Sequence, residues 1–237
     1  MCNRYTIAEP SKLESLEVAG RLLSEAFRNM APRYNIAPSD FVPVVARDDA
    51  GEWQATSMRW GFVPHYDHSD KPERTPLNAK SETVLTLGMF RQAAQRRRCL
   101  LPADGFYEWH HVSATLKVPH YFYFRDRSPF FFAGIYETAT GKQPPTCALL
   151  TTAPLATVAP FHTRSPLILN AAQADAWTAP GGMSVEDLAA IISVTRWGEE
   201  LAQHVVTRAV GSTQKNRIDG PECIAPVLEE PDLFTLG

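Results

Sequence analysis

The amino-acid sequence predicts an α+β fold: a single domain over residues 1–237, with an antiparallel, barrel-like or two-sheet β core and peripheral helices. Short runs rich in β-branched and aromatic residues outnumber the amphipathic runs of helical period. The two kinds do not alternate as a βαβ fold requires, and the short connections favour antiparallel pairing. The 19 prolines and 13 glycines are spread along the chain, so no linker, repeat or low-complexity tract divides it. Mixed chains of 237 residues commonly build one well-buried core.

Along the chain, Pro10-Ser11-Lys12-Leu13-Glu14 reads as a helix start, with Ser11 as N-cap and Glu14 closing a capping box. Leu13, Leu16, Leu23 and Phe27 then give one apolar face. Strands are predicted at 41–46, 53–60, 99–103, 119–125, 130–136 and 146–152, each a short run of β-branched, apolar and aromatic residues. A helix is predicted from about Glu82 to Arg97, and a late one from Ser184, with Asp187 at the matching capping position. The segment Pro64 to Pro76, rich in His, Asp, Lys and Pro, is the one long polar loop, a kind of segment that often carries function.

A hydrophobic content of 44% and a charged content of 21% are ordinary for a globular protein, and no apolar run approaches a membrane span. Met1 to Tyr5 lacks the basic-then-apolar layout of a secretory signal, which points to a reducing, cytoplasmic setting, nucleoid-associated in a bacterium. Cys2, Cys99, Cys147 and Cys223 are far apart and form no C-x-x-C pair, so neither a zinc site nor a disulfide framework is expected, and no cofactor. Cys99 and Cys147 sit in apolar runs, as small buried thiols do. A net charge of −3 opposes nucleic-acid binding unless positive charge is local. It does gather at Arg91, Arg96, Arg97 and Arg98, and more thinly at Arg4, Lys71, Arg74, Lys80 and Arg164.

Cysteine at position two carries distinctive chemistry. Removal of Met1 would leave an α-amine and a thiol on one residue. An α-amine titrates at about 7.7–8.0, so a useful fraction is neutral near pH 7 and attacks an aldehyde to give an imine, on which the thiol closes a five-membered thiazolidine. A frayed terminus is the plain alternative. Glu108, within Asp104-Gly105-Phe106-Tyr107-Glu108-Trp109, is flanked by aromatics that would desolvate it and raise its pKa, making it a candidate acid and base. An arginine partner at the sheet rim would equally explain it. His162, in Phe161-His162-Thr163-Arg164-Ser165-Pro166, is a second titrating group beside a cation. Asn78-Ala79-Lys80-Ser81-Glu82-Thr83 lies where a loop is predicted to enter a helix, so that free amides, Asn78 and Lys80 could hold an anion, or simply cap the helix.

These pieces occur in a familiar order. Met-Cys-x-Arg-Tyr at the terminus, R-Y-N-I-A-P at 33–38, M-R-W-G-F-V-P at 58–64, N-A-K-S-E-T at 78–83 and R-C-L-L-P-A-D-G-F-Y-E-W at 98–109 resemble the SRAP family, the SOS-response-associated peptidases or abasic-site processing proteins. G-I-Y-E at 134–137, L-T-T-A at 150–153, F-H-T-R-S-P-L-I-L at 161–169 and T-R-A-V-G at 207–211 continue the match, which runs to about residue 225. The resemblance implies a monomeric enzyme that binds single-stranded DNA carrying an abasic site and captures the open-chain aldehyde on Cys2 as a thiazolidine, once Met1 is lost. It implies that Asn78 orients the Cys2 terminus or the sugar, that Glu108 transfers protons, and that His162 assists ring opening and crosslink reversal. Arg4, Lys80 and Arg164 would hold phosphates, making affinity salt-dependent, with aromatics stacking on bases.

The chain differs from the family pattern at four places. Asn3 stands where Gly is usual, Lys80 where Arg is usual, His65-Tyr66 where tryptophans often follow the Gly-x-x-Pro block, and Thr163 and Ser165 where Asp and Met flank the arginine. None touches Cys2, Asn78, Glu108 or His162. Two other classes of function remain open: an N-terminal-nucleophile peptidase, which needs an oxyanion hole, and a non-catalytic single-strand binder, which would leave Cys2 without a role. A phage-type domain with a degenerate site is a third reading, resting on Asn3 and the altered His65-Tyr66 segment.

Overall fold

In the computed structural model, which describes residues 2–193, 200–214 and 216–227, the strands are β1 (Tyr5–Ile7), β2 (Arg33–Ile36), β3 (Phe41–Arg47), β4 (Trp53–Trp60), β5 (Asn78–Lys80), β6 (Arg98–Ala103), β7 (Gly105–His111), β8 (Lys117–Phe124), β9 (Phe130–Glu137), β10 (Thr146–Thr152), β11 (Ser165–Pro166), β12 (Ile168–Leu169) and β13 (Leu201–Val205). The α-helices are α1 (Gly20–Ala26), α2 (Gly88–Arg96), α3 (Ala171–Thr178) and α4 (Val185–Ser193). β1 is central in a five-stranded sheet of order β13-β8-β7-β1-β2. The second sheet runs β11-β10-β4-β3-β6-β9-β12, and because β9 pairs with both β6 and β10, five of its strands close into a ring. The α+β expectation therefore holds in both its forms, as two sheets of which one is barrel-like.

Antiparallel pairing holds for most neighbours, but β10 lies parallel to β4 and to β5. A parallel pair needs a long crossover, and the chain between β4 and β10 supplies one, carrying α2 and the strands β5 to β9. The two sheets meet through aromatic side chains. Tyr5 of β1 packs edge-on against Trp60 and Phe132 of the ring, at 5.2 and 5.7 Å between centroids, and Phe106 of β7 also contacts Phe132. All of these are buried, so burial of large aromatic surface fixes the N-terminal strand against the barrel.

The predicted strands lie within a residue or two of those observed. The helix predicted from Ser11 is instead a 3₁₀ turn, Pro10–Ser15, followed by α1. Ser11 lies inside that turn and does not cap it. Ala19, with φ 54°, breaks the run, and the chain restarts at Gly20, where a Cβ would sit 2.8 Å from the carbonyl oxygens of Leu13 and Glu14. Leu13, Leu16 and Leu23 still reach the core, while Phe27 is half-buried. The helix predicted from Glu82 begins only at Gly88, after a series of turns. Asn78–Lys80 is drawn into the ring sheet as β5, and the Ser81 N–H donates to Thr151 O at 2.9 Å. The backbone there is engaged with β10 and does not form the helix entrance that could hold an anion.

The late helix starts as expected: Ser184 and Asp187 cap reciprocally, N–H to Oγ at 3.0 Å and N–H to Oδ2 at 3.2 Å. Sequence reasoning missed α3, although Asn170 and Gln173 form the same box at 2.8 and 2.9 Å. All four cysteines are buried and unpaired, as predicted for Cys99 and Cys147. Among the described residues no helix is long and apolar enough to cross a membrane, and no group of three or more His, Cys, Asp or Glu side chains is placed to hold a metal ion.

Candidate active site

Pairing on both sides of β1 fixes the residues ahead of it. Tyr5 lies opposite Ile36 on one side and Phe106 on the other, and the Tyr107 N–H donates to Arg4 O at 3.1 Å. Continuing that register brings Asn3 opposite Glu108 and places Cys2 at the start of the ladder. Cys2 is fully buried, its thiol donating weakly to Arg4 O at 3.5 Å. Burial, and then the charge of Glu108, push its thiol well above the ordinary range. Asn78, from β5 in the other sheet, donates its Nδ2–H to Cys2 O at 2.9 Å. That bond joins the ring sheet to the terminus.

Glu108 lies on β7 and is 1% exposed. Desolvation lifts its carboxyl from 4.5 to about 7, so near neutrality it can both give and accept a proton. His162 ends a tight turn in which its own N–H donates to Val158 O at 3.0 Å. The Arg164 N–H lies 3.0 Å from its Nδ1 and the Arg164 carbonyl oxygen 3.1 Å from the same nitrogen, so both backbone groups of Arg164 hold that edge of the ring. Partial burial lowers its pKa and favours the neutral form.

Glu108 and His162 face a shared cavity of about 340 Å³, also lined by Asn3, Arg4, Trp109 and His111. The structure thus brings together Cys2, Asn78, Glu108 and His162, four residues from four separate stretches of sequence. Arg4 belongs to the same cavity but is 5% exposed, with Nη1 on Asn3 O at 3.0 Å and Nη2 on Ser212 O at 3.1 Å. Burial, followed by the charge of Arg217, lowers its pKa. Lys80 is exposed at the end of β5, opposite Thr151. Arg164 reaches the same step of β10 through Thr151 O at 2.6 Å, while Glu82 accepts from both of its Nη groups at 2.6 and 2.8 Å.

Trp109, His111 and Lys117 also line the cavity and were not singled out in the sequence. His111 and Lys117 are cross-strand partners that close the β7–β8 hairpin, a pairing visible only once the hairpin register is known. His120 is likewise new. It lies directly across from Glu108, bonds Gln203 through Nδ1 at 2.7 Å, and packs on Phe161 with ring centroids 4.2 Å apart. Asn3, the residue beside Cys2, turns its carbonyl to Arg4 and holds a buried Oδ1 with no partner among the described residues. His65 lies 3.7 Å from Glu137, and Tyr66 is 56% exposed.

Comparison with known proteins agrees with this architecture. The family model described as SOS response associated peptidase (SRAP) matches residues 1–213, and the chain belongs to that family. Among its relatives, the abasic site processing protein YoqW of Bacillus subtilis is 29% identical over 229 residues, covering 94% of this chain and 99% of that one. The abasic site processing protein YedK of Escherichia coli is 32% identical, covering 82% and 85%. The abasic site processing protein HMCES of Gallus gallus is 28% identical, covering 83% of this chain and 66% of its own. In three dimensions the fold matches a crystal structure of a Bacteroides thetaiotaomicron protein, with a TM-score of 0.74 at 22% identity, covering 96% of this chain and all of that one. It also matches a phage-related protein of Bordetella bronchiseptica, with a TM-score of 0.68 at 22% identity, covering 92% and 100%.

Proposed function

We propose that this protein processes abasic sites in single-stranded DNA by forming a covalent thiazolidine between Cys2 and the open-chain sugar aldehyde. The relatives named as abasic site processing proteins support the substrate. The observation that carries the chemistry is the bond from Asn78 to the Cys2 carbonyl beside a buried carboxyl poised near pH 7. Cys2 follows Met1, so its nitrogen is an amide until Met1 is removed. The freed amine adds to the aldehyde carbon, and loss of water gives an imine. The thiol sulfur then adds to the imine carbon and its proton passes to the nitrogen. One aldehyde, one amine and one thiol become one thiazolidine and one water.

Each step needs a proton moved at one place. Glu108 accepts the proton released as the amine attacks and returns one to the departing hydroxyl. In the tautomer whose Nδ1 accepts from the Arg164 N–H, neutral His162 offers Nε2–H to the ring oxygen of the closed sugar as it opens. Asn78 holds the terminus so that amine and thiol address the same carbon. Of the phosphate contacts, Lys80 is exposed, Arg4 is reached only through the cavity, and Arg164 must exchange its Glu82 partner for a phosphate.

The test combines Met1-free protein with single-stranded DNA bearing one abasic site, followed by a denaturing gel and intact mass measurement. A shifted band that is absent in Cys2→Ala supports the reading. If wild-type protein binds the strand and yields no covalent band, the crosslinking reading fails and a binding module takes its place. Cys2-dependent peptide hydrolysis without a DNA adduct would select the peptidase.

A further inference from the structure

A second cavity, of about 730 Å³, is more than twice the volume of the one at Glu108 and His162. Asp40, just ahead of β3, is close enough to act on the charge of Arg4. Arg47, at the far end of the seven-residue β3, lines the second cavity. At about 3.3 Å per residue, β3 extends about 20 Å between its two ends. The walls come from α2, the β3–β4 turn and the loop after α3, whose Gly181 has φ +101°.

The cluster of arginines at 91–98 is sorted here by the fold. Arg98 is buried beneath the cavity and donates to five carbonyls, and Arg97 is paired with Glu137 at 2.8 Å. Arg91 and Arg96 are exposed on the cavity wall and form no ion pair among the described residues. The acidic groups nearby are largely engaged. Asp48 turns into its own loop and accepts from the N–H groups of Ala50 and Glu52 at 3.0 and 2.9 Å, and Asp175 pairs with Arg47. Arg47 Nε is shielded from solvent and has no hydrogen-bond partner among the described residues. Asp49 is the remaining acidic side chain on the wall.

We propose that this cavity is an anion site for a phosphate group, held by Arg91 and Arg96, with Gln92 between them as a further donor. Two free guanidinium groups suit a multiply charged, multi-oxygen anion, which each can meet with parallel N–H donors. The phosphate belongs either to the backbone of a bound nucleic-acid strand or to a free phosphate ester. None of these residues takes part in the chemistry proposed at Cys2, and the site stands without that reading.

The test uses the full chain and an Arg91→Gln/Arg96→Gln double variant, with Arg28→Gln, an exposed arginine elsewhere, as the control for general charge loss. In the first arm, binding of an undamaged oligothymidylate of about 16 nucleotides is measured as a function of salt. Loss of two phosphate contacts lowers the magnitude of the logarithmic salt slope by about 1.4, with affinity reduced several-fold and the slope of Arg28→Gln unchanged. In the second arm, inorganic phosphate is titrated by calorimetry. Saturable binding to wild-type protein that is lost in the double variant, with the DNA slope unchanged, identifies a free phosphate ester as the ligand. Equal behaviour of wild-type and double variant in both arms, or an equal loss in Arg28→Gln, overturns the site. Because the strand carries no abasic site, failure of the covalent reading leaves this test intact.

Discussion

Glu108 joins the chemistry to a stability cost. Its carboxyl is raised from 4.5 to about 7 by burial, so the folded chain binds that proton more tightly than the unfolded one. Stability from this group is fully present below 4.5, falls as pH rises through the window to about 7, and then levels. Glu108→Gln should therefore be more stable than wild type at about pH 8, by roughly 1–3 kcal/mol, with the difference gone near pH 4. Chemical denaturation at the two pH values measures it. The same variant should slow crosslinking by about a hundredfold, the usual loss when acid–base catalysis is removed, and an unchanged rate would take Glu108 out of the mechanism. Asn78→Ala should also slow crosslinking. It leaves Cys2 buried just ahead of β1 with its carbonyl unpaired, so the prediction is a lower rate together with a loss of roughly 1–3 kcal/mol of stability, read by urea unfolding. Asn3 adds a third case: Asn3→Gly removes a buried Oδ1 that has no partner among the described residues and gives a more flexible backbone next to Cys2.

At the scale of elements, Arg98 is the clearest example of a charge placed for architecture. Its guanidinium meets Ala94 O and Gln95 O at the end of α2, at 3.0 and 2.7 Å, and Trp177 O and Ala179 O at the end of α3, each at 2.5 Å. Two helix C-termini, each with unsatisfied carbonyls and partial negative charge, converge on one cation. Arg98→Met fills similar space but strands those carbonyls. It should cost roughly 2–4 kcal/mol, whereas the exposed Arg91→Gln should change stability by less than about 0.5 kcal/mol. Thermal or urea unfolding of the two variants separates the roles. The residues are seven apart on the same basic stretch, and only their burial distinguishes them.

At the scale of the whole molecule, the N-terminal segment that carries Cys2 is built as core. Chain ends usually fray, but β1 is paired on both sides, by β2 and β7, and its three residues are buried. Thr6 adds a 2.5 Å bond to the buried Asp104, whose other oxygen accepts from the Glu9 N–H at 2.8 Å. Amide exchange at Tyr5 and Thr6 should then proceed with global unfolding, at protection comparable to β7. Exchange at the rate of a surface loop would show that the terminus is not held. Joining this sheet to a closed ring lets Asn78 and His162, from one sheet and its connections, meet Cys2 and Glu108 from the other.

The sequence by itself determined the family, the α+β class, six of the strands and the late helix, because β-branched runs and capping pairs are local signals. It also nominated Cys2, Asn78, Glu108 and His162 through motifs. It misplaced two helix starts, since Ser11 and Glu82 have helix-like neighbours whose backbone is bent at Ala19 or captured by β10. Short strands such as β1, β2 and β5 were illegible, because three or four residues carry no period of their own and become strands through their partners. Only the tertiary structure decided which charges are available. Arg4, Arg98 and Arg164 read alike in sequence, yet one is buried on backbone carbonyls beside Cys2, one closes two helices, and one is bound to Glu82. The reason is physical: a side chain's type is local, but its solvation and its partners are set by residues up to 208 positions away.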